Sequence, residues 1–240
     1  MLLSLLSGGS ITDMLISLIV TIPIVMLALS LHETAHGYIA WKCGDNTAYN
    51  LGRLTLNPLK HLDLVGTLCM MLVGFGWAKP VPINTRNFRD PKRGMALSAA
   101  AGPAANLLLG IISAVFYGFF YALYVFVSFK GGAEFLLNTV ALLWEISYIS
   151  ALMNMTFAFF NLIPVPPFDG SRIAFVFLPQ RLYFKVMRYE REIMYGILIT
   201  LLILSYFFNF SPFSWMAGKL TNLIYEPVRY GFMEMFGHFV

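Results

Sequence analysis

Residues 14–41 form an apolar run long enough to cross a lipid bilayer, and its ionisable interruption is His32-Glu33-Thr34-Ala35-His36. At that depth no water satisfies the backbone, so the run has to be an α-helix. Such a helix turns about 100° per residue, which stacks His32 and His36 on one face and lets two imidazoles reach one metal ion. Two imidazoles are half of a tetrahedral zinc site. A catalytic site keeps one position for water, and Glu33, one residue on and to the side, is placed to act as base on that water. Three ionisable side chains in a bilayer-length helix are costly and seldom present without a use. The plainer alternative is a histidine pair satisfied by neighbouring helices, with Glu33 as counter-ion.

Further apolar runs lie at 64–76, 95–129, 135–163 and 193–210. The chain is 58% hydrophobic and 12% charged, against about 25% charged in a soluble domain. We therefore expect an all-α polytopic membrane protein, a single domain over residues 1–240, with about four full transmembrane helices. The run 64–76 is too short to cross. Around it, Gly44, Gly52 and Pro58 punctuate short segments, Arg53-Leu54-Thr55-Leu56 reads as strand, and Pro80 and Pro82 forbid regular helix. Residues 42–93 are thus expected to form a re-entrant block, a β-hairpin and short helix beside a polar cavity that satisfies their backbone.

Charge supports that topology. If 64–76 turns back, the loops 42–63, 77–93 and 164–191 share one side and carry 13 of the 16 Lys and Arg; if it crosses, the asymmetry collapses. The positive-inside rule puts that side in the cytoplasm and the N-terminus outside, in a multi-pass protein of the cell membrane. No Lys or Arg precedes Lys42, so no signal peptide is expected and 14–41 reads as a retained span. Cys43 and Cys69 form no CxxC pair and read as free thiols. The net charge of +4 forms no basic patch with interleaved aromatics, so nucleic acid is not an expected partner.

A catalytic zinc needs a third ligand. Residues 95–129 open with the small-residue stretch Ser98-Ala99-Ala100-Ala101-Gly102-Pro103-Ala104-Ala105-Asn106, which suits close packing on the first helix. The very short turn at Gly131-Gly132 returns 135–163 antiparallel, to the side from which His32 and His36 lie about 8 to 14 Å inward. There Pro164, Pro166 and Pro167 end the helix and present Asp169 from extended backbone. Asp169 is the favoured third ligand; its alternative is a helix N-cap before Ser171. Glu145 is about 27 Å up its helix, in the opposite half of the membrane, and is left unassigned. His61 is on the correct side, but a loop-ordering hydrogen bond is the better reading for it. His238 reads as inert. Residues 211–240 read as an interfacial tail anchored by Trp215, Tyr225 and Tyr230.

With these residues in view, the chain resembles the site-2 proteases, intramembrane zinc metalloproteases. The resemblance runs from about Leu31 to Arg181. It rests on His32-Glu33-x-x-His36, Leu54-Thr55-Leu56-Asn57-Pro58 with His61 and Asp63, Gly76-Trp77-Ala78-Lys79-Pro80-Val81-Pro82, Gly102-Pro103 with Asn106, and Asn161 through Asp169-Gly170. It looks like the compact prokaryotic type, without the PDZ or CBS domains of larger members. Compact relatives usually have proline where Leu64 stands and a second glycine where Ser171 stands. The resemblance implies one zinc ion per chain on His32, His36 and Asp169, with Glu33 as catalytic base. It further implies Asn161 and Pro167 as substrate-binding residues, and a transmembrane protein in the lipid bilayer as substrate. In this reading 14–41 is the metal-motif helix, 95–129 and 135–163 are core helices, 164–191 is the metal-ligand loop and 193–210 is the last span. The readings from a different class are a non-catalytic metal-binding membrane protein and a substrate-binding pseudoprotease; bis-histidine haem is disfavoured because both histidines share one helix.

Overall fold

The computed structural model describes residues 11–64, 66, 78–208, 210 and 212–237. Its helices are α1 (Ile11–Lys42), α2 (Thr47–Asn50), α3 (Pro91–Phe129), α4 (Glu134–Asn161), α5 (Asp169–Phe175), α6 (Gln180–Met187), α7 (Glu190–Phe208), α8 (Pro212–Leu220) and α9 (Glu226–Gly237), with a π-helical turn at Thr221–Tyr225 joining the last two. Among the described residues, four stretches are long and apolar enough to cross a membrane: Leu18–Lys42, Pro91–Phe129, Glu134–Asn161 and Glu190–Phe208. These coincide with the four runs expected to span.

The chain divides into two compact units, with the boundaries falling inside α3, α4 and α6. The first comprises residues 1–105 and 161–184, the second 106–160 and 185–240.

In the first unit, α1 carries both histidines and runs through Pro23 without a break. The small-residue stretch of α3 packs on it, as its composition implies: the Ser98 hydroxyl donates to the His36 carbonyl at 2.9 Å. The described residues after α1 do not support the expected re-entrant β-hairpin. Among the described residues between α1 and α3 there is no strand: they form the short helix α2, 3₁₀ turns at Pro58–Lys60 and Thr85–Asn87 and one isolated antiparallel bridge, Leu62 to Ala78. The cause is a competition for backbone groups. Pro58, Pro80 and Pro82 have no N–H to give a ladder. The remaining groups go to side chains: the Thr55 carbonyl accepts from the Thr34 hydroxyl at 2.7 Å and from the His61 ring at 2.8 Å. The Asn84 amide donates to Asp45 at 2.7 Å. What remains of pairing is one bond, from the Lys79 amide to the His61 carbonyl, at 2.8 Å. The short helix expected at 64–76, and with it Cys69 and the choice between crossing and turning back, lies outside the described residues.

Asp45, fully buried, ties the far end of this segment to the end of α1. One carboxylate oxygen accepts from the Thr47 amide and hydroxyl and from the Asn87 side chain at 2.8 Å, and the other takes the Asn84 amide. The Arg89 amide adds a bond to the Cys43 carbonyl at 3.1 Å.

In the second unit α3 and α4 meet closely at Gly110, where a Cβ would come within 2.7 Å of the Met155 side chain. The buried Asn106 amide donates to Asn154 at 3.3 Å, and the Ser113 and Ser150 hydroxyls share a bond of 2.9 Å. Such pairs join apolar helices that gain little from packing alone in lipid. Tyr225 differs from expectation: it is fully buried between Tyr117 and Tyr148, ring centroids 5.6 and 5.3 Å away, while Trp215 and Tyr230 are exposed. The period of the sequence marks Tyr225 as aromatic at an apolar boundary, and the π-turn that ends on it turns it inward.

Burial acts to raise the Asp45 carboxyl, but the hydrogen bonds from Thr47, Asn84 and Asn87 outweigh it and hold the group below its ordinary 3.8. The folded chain therefore binds this proton less tightly than the unfolded one. Asp45 contributes its full stability above pH 3.8 and loses it as pH falls through the lower folded value. Asp45→Asn turns one acceptor into a donor facing donors, which costs about 1–3 kcal/mol. Thermal unfolding in detergent should show the variant clearly less stable at pH 7, with the gap to wild type closing in the acid range.

Candidate functional site

Helical spacing delivers His32 and His36 to one place. Both are buried, at 6% and 7% exposure, and their Nε2 atoms are 2.9 Å apart. The third group arrives by a different route. The three prolines after α4 stop the helix, Phe168 caps α5 in extended geometry, and Asp169 is the first residue of α5 rather than its N-cap. Gly170 makes this turn feasible, because any Cβ there would overlap the carbonyl of Leu162. Asp169 Oδ2 lies 3.1 Å from His32 Nε2 and 3.2 Å from His36 Nε2. Among the described residues this is the metal-competent group of His, Cys, Asp and Glu.

The donor set fits a tetrahedral ion. Bonds of about 2.0–2.1 Å to a tetrahedral zinc put ligand atoms about 3.3 Å apart, and the three separations here are 2.9, 3.1 and 3.2 Å. The outer contacts fit too. His36 Nδ1–H donates to the Ser98 carbonyl at 2.7 Å, which leaves the Nε2 lone pair directed at the centre. The Asp169 carboxylate, 3.1 and 3.2 Å from the His32 and His36 Nε2 atoms, supplies the anionic ligand of such a set.

Gly102 of α3 forms a wall of this centre. A Cβ on it would overlap the ring atoms of His36 and His32. Glu33 points elsewhere, its Oε2 accepting the Val81 amide at 2.7 Å. It is therefore beside the three ligand atoms and not one of them.

The other candidates fall away from the centre. His61 is buried and donates through Nε2 to the Thr55 carbonyl, the loop-ordering bond expected of it. Glu145 is exposed on α4 in the second unit, and His238 lies outside the described residues. Asn161 is the last residue of α4 and Pro167 lies two residues before Asp169. Sequence reasoning missed Ser98 as a histidine partner and Val81 as a partner of Glu33. The available signals were Ser98 at the head of the small-residue stretch, and Val81 as the residue with an N–H between Pro80 and Pro82.

Gly102→Ala places a methyl where the ligand rings sit, so it should weaken zinc retention about tenfold or more, the range seen when groups supporting a metal site are altered. Metal analysis after chelator challenge reads this directly. Unchanged retention would show that the rings move aside at no cost.

Residues 20–205 match the model of Peptidase family M50. The chain is 38% identical over 186 residues to "Putative zinc metalloprotease YwhC" of Bacillus subtilis, which covers 75% of this chain and 77% of that protein. It is 29% identical over 150 residues to "Putative zinc metalloprotease Rip2" of Mycolicibacterium smegmatis and 27% over 152 residues to that of Mycobacterium tuberculosis. The chain spans about half the length of the Rip2 proteins, 52% in each case. No solved structure matches it. The matched span holds His32, Glu33, His36, Asn161, Pro167 and Asp169 and reaches into all four apolar helices. A multi-pass membrane protein with a zinc-competent trio and these relatives belongs to Peptidase family M50, the site-2 protease family of metalloproteases.

Proposed function

We propose that the chain hydrolyses peptide bonds within or near transmembrane segments of membrane-protein substrates. The observation that supports this most is the juxtaposition of His32, His36 and Asp169 ligand atoms within 3.2 Å on and against a bilayer-length helix, with Glu33 following His32 on that helix. In this reading His32, His36 and Asp169 hold one zinc ion per chain. Zinc on such ligands supplies Lewis-acid activation of water and of a carbonyl oxygen. Glu33 takes the proton of the attacking water and returns it to the leaving amine. The Val81 amide keeps that carboxylate oriented, and Ser98 keeps His36 in the tautomer that ligates. Asn161 and Pro167, flanking the approach to Asp169, hold the substrate backbone near the centre. A helical substrate hides its carbonyls in its own hydrogen bonds, so it has to unwind locally before it reacts. The excess of Lys and Arg in 42–63, 77–93 and 164–191 puts the site towards the cytoplasmic side of the cell membrane.

Three variants test the assignment together. Wild-type protein purified in detergent should hold one zinc per chain; His36→Ala and Asp169→Ala should lose it, and Glu33→Gln should keep it. Co-expressed with a panel of single-span reporter proteins, Glu33→Gln should cleave about 100- to 10,000-fold more slowly than wild type and retain bound reporter. Zinc-loaded wild type that cleaves no reporter would favour a metal-binding protein without protease activity. A zinc-loaded Glu33→Gln that cleaves at the wild-type rate would remove the base.

Topology has its own check. With Cys43 and Cys69 replaced, single cysteines at positions 60 and 90 should label from the cytoplasmic face and one at 131 from outside. Labelling of 60 and 90 from opposite faces would show that 64–76 crosses.

A further inference from the structure

We propose that Arg53 is a positioning residue for Glu33, acting through the peptide group that joins Pro80 to Val81. The inference rests on Glu33 being the base. Pro80-Val81-Pro82 contains a single N–H, that of Val81, and it donates to Glu33 Oε2 at 2.7 Å. The other edge of the same planar peptide group is the Pro80 carbonyl, and this accepts from Arg53 Nη2 at 3.3 Å. One nitrogen of the guanidinium also holds the preceding carbonyl, that of Lys79, at 2.9 Å. A cation and a carboxylate thus face each other across one peptide dipole. The cation drains charge from the carbonyl and so strengthens the N–H as a donor, the cooperative effect expected along a hydrogen-bond chain.

Three further observations single out Arg53. Its Nε is buried without a hydrogen-bond partner, so the guanidinium sits where its two carbonyl bonds place it rather than where all its donors are satisfied. Its backbone is fixed: the Arg53 amide donates to the Ala48 carbonyl at 2.9 Å, straight after Gly52 turns the chain with φ +62°. The prolines on either side of Val81 restrict the backbone torsions that would let the amide swing away. Lysine would supply the charge as a point on a flexible stem, without the rigid planar group that sets one nitrogen between the Lys79 and Pro80 carbonyls. The device holds one oxygen of Glu33 and leaves the other for the proton.

Arg53→Lys and Arg53→Ala test this on detergent-solubilised full-length protein. The readouts are zinc content, kcat and KM on a synthetic single-span peptide, capture of that peptide in a Glu33→Gln background, and the Val81 amide proton in protein labelled with ¹⁵N-valine. Both Arg53 variants should keep zinc, KM and capture within about twofold of wild type while kcat falls about 10- to 100-fold, the scale of a small misplacement of a catalytic group. The Val81 amide resonance should move upfield in Arg53→Ala, and in Glu33→Ala by at least as much. If zinc, KM and capture fall along with kcat, Arg53 is only a loop clamp and the proposal is overturned. An unmoved Val81 resonance in Arg53→Ala overturns it as well, whatever the activity. Wild type that holds zinc and does not cleave the peptide would count against the protease reading, and the amide resonance would still decide whether Arg53 reaches Glu33.

Discussion

Two imidazole nitrogens and a carboxylate oxygen held within 3.2 Å of one another present lone pairs to a common centre. With the Ser98 carbonyl accepting the Nδ1–H hydrogen bond of His36, this cluster is suited to hold a cation, because an unpaired charge away from water is far more costly than a coordinated one. The rest of the first unit is arranged to meet that requirement. α1 provides the helical spacing, α3 brings a residue without a side chain against the two rings, and the proline-broken end of α4 returns Asp169 to them. Each contribution comes from a different part of the chain, and none of them works alone.

The segments between α1 and α3 solve a related problem. Irregular backbone near an apolar environment needs partners for each polar group. Here those partners are side chains: Thr34 and His61 for Thr55, Glu33 for Val81, Arg53 for Lys79 and Pro80, and Asp45 for Asn84. Two of these, Glu33 and Thr34, lie inside the His-x-x-x-His motif itself. The same five residues therefore carry the clustered histidines and secure the chain that follows α1.

Much of this was legible in the sequence. Bilayer-length apolar runs leave the backbone no choice but helix, so the four long helices follow from hydropathy alone. The spacing of His32 and His36 predicts their contact, and the prolines before Asp169 predict a broken helix that can reach back. The block after α1 was misread because Arg53-Leu54-Thr55-Leu56 alternates like a strand, while what decides its structure is long-range: which side chains from α1 and from the turn at Asp45 claim its carbonyls and amides. Alternation reports the faces of a segment and says nothing of its partners. Ser98 escaped notice as a site residue for a similar reason, since its contribution is a backbone carbonyl, and every residue type has one. Tyr225 was misplaced because an aromatic at a membrane boundary and one at the centre of a helix cluster look alike in one dimension.

The clamps along 79–84 also set how this protein can diverge. Lys79, Pro80, Val81 and Asn84 are each gripped through the main chain. Side-chain identity is loosely constrained at Lys79, apart from the need for an N–H, whereas Pro80 restricts the backbone and the Asn84 side chain accepts the Arg86 amide. Length is constrained throughout. Gaining or losing one residue between Lys79 and Asn84 would set Glu33 opposite a proline nitrogen or Asp45 opposite the wrong amide, so drift in this stretch should proceed by replacement and leave its residue count untouched.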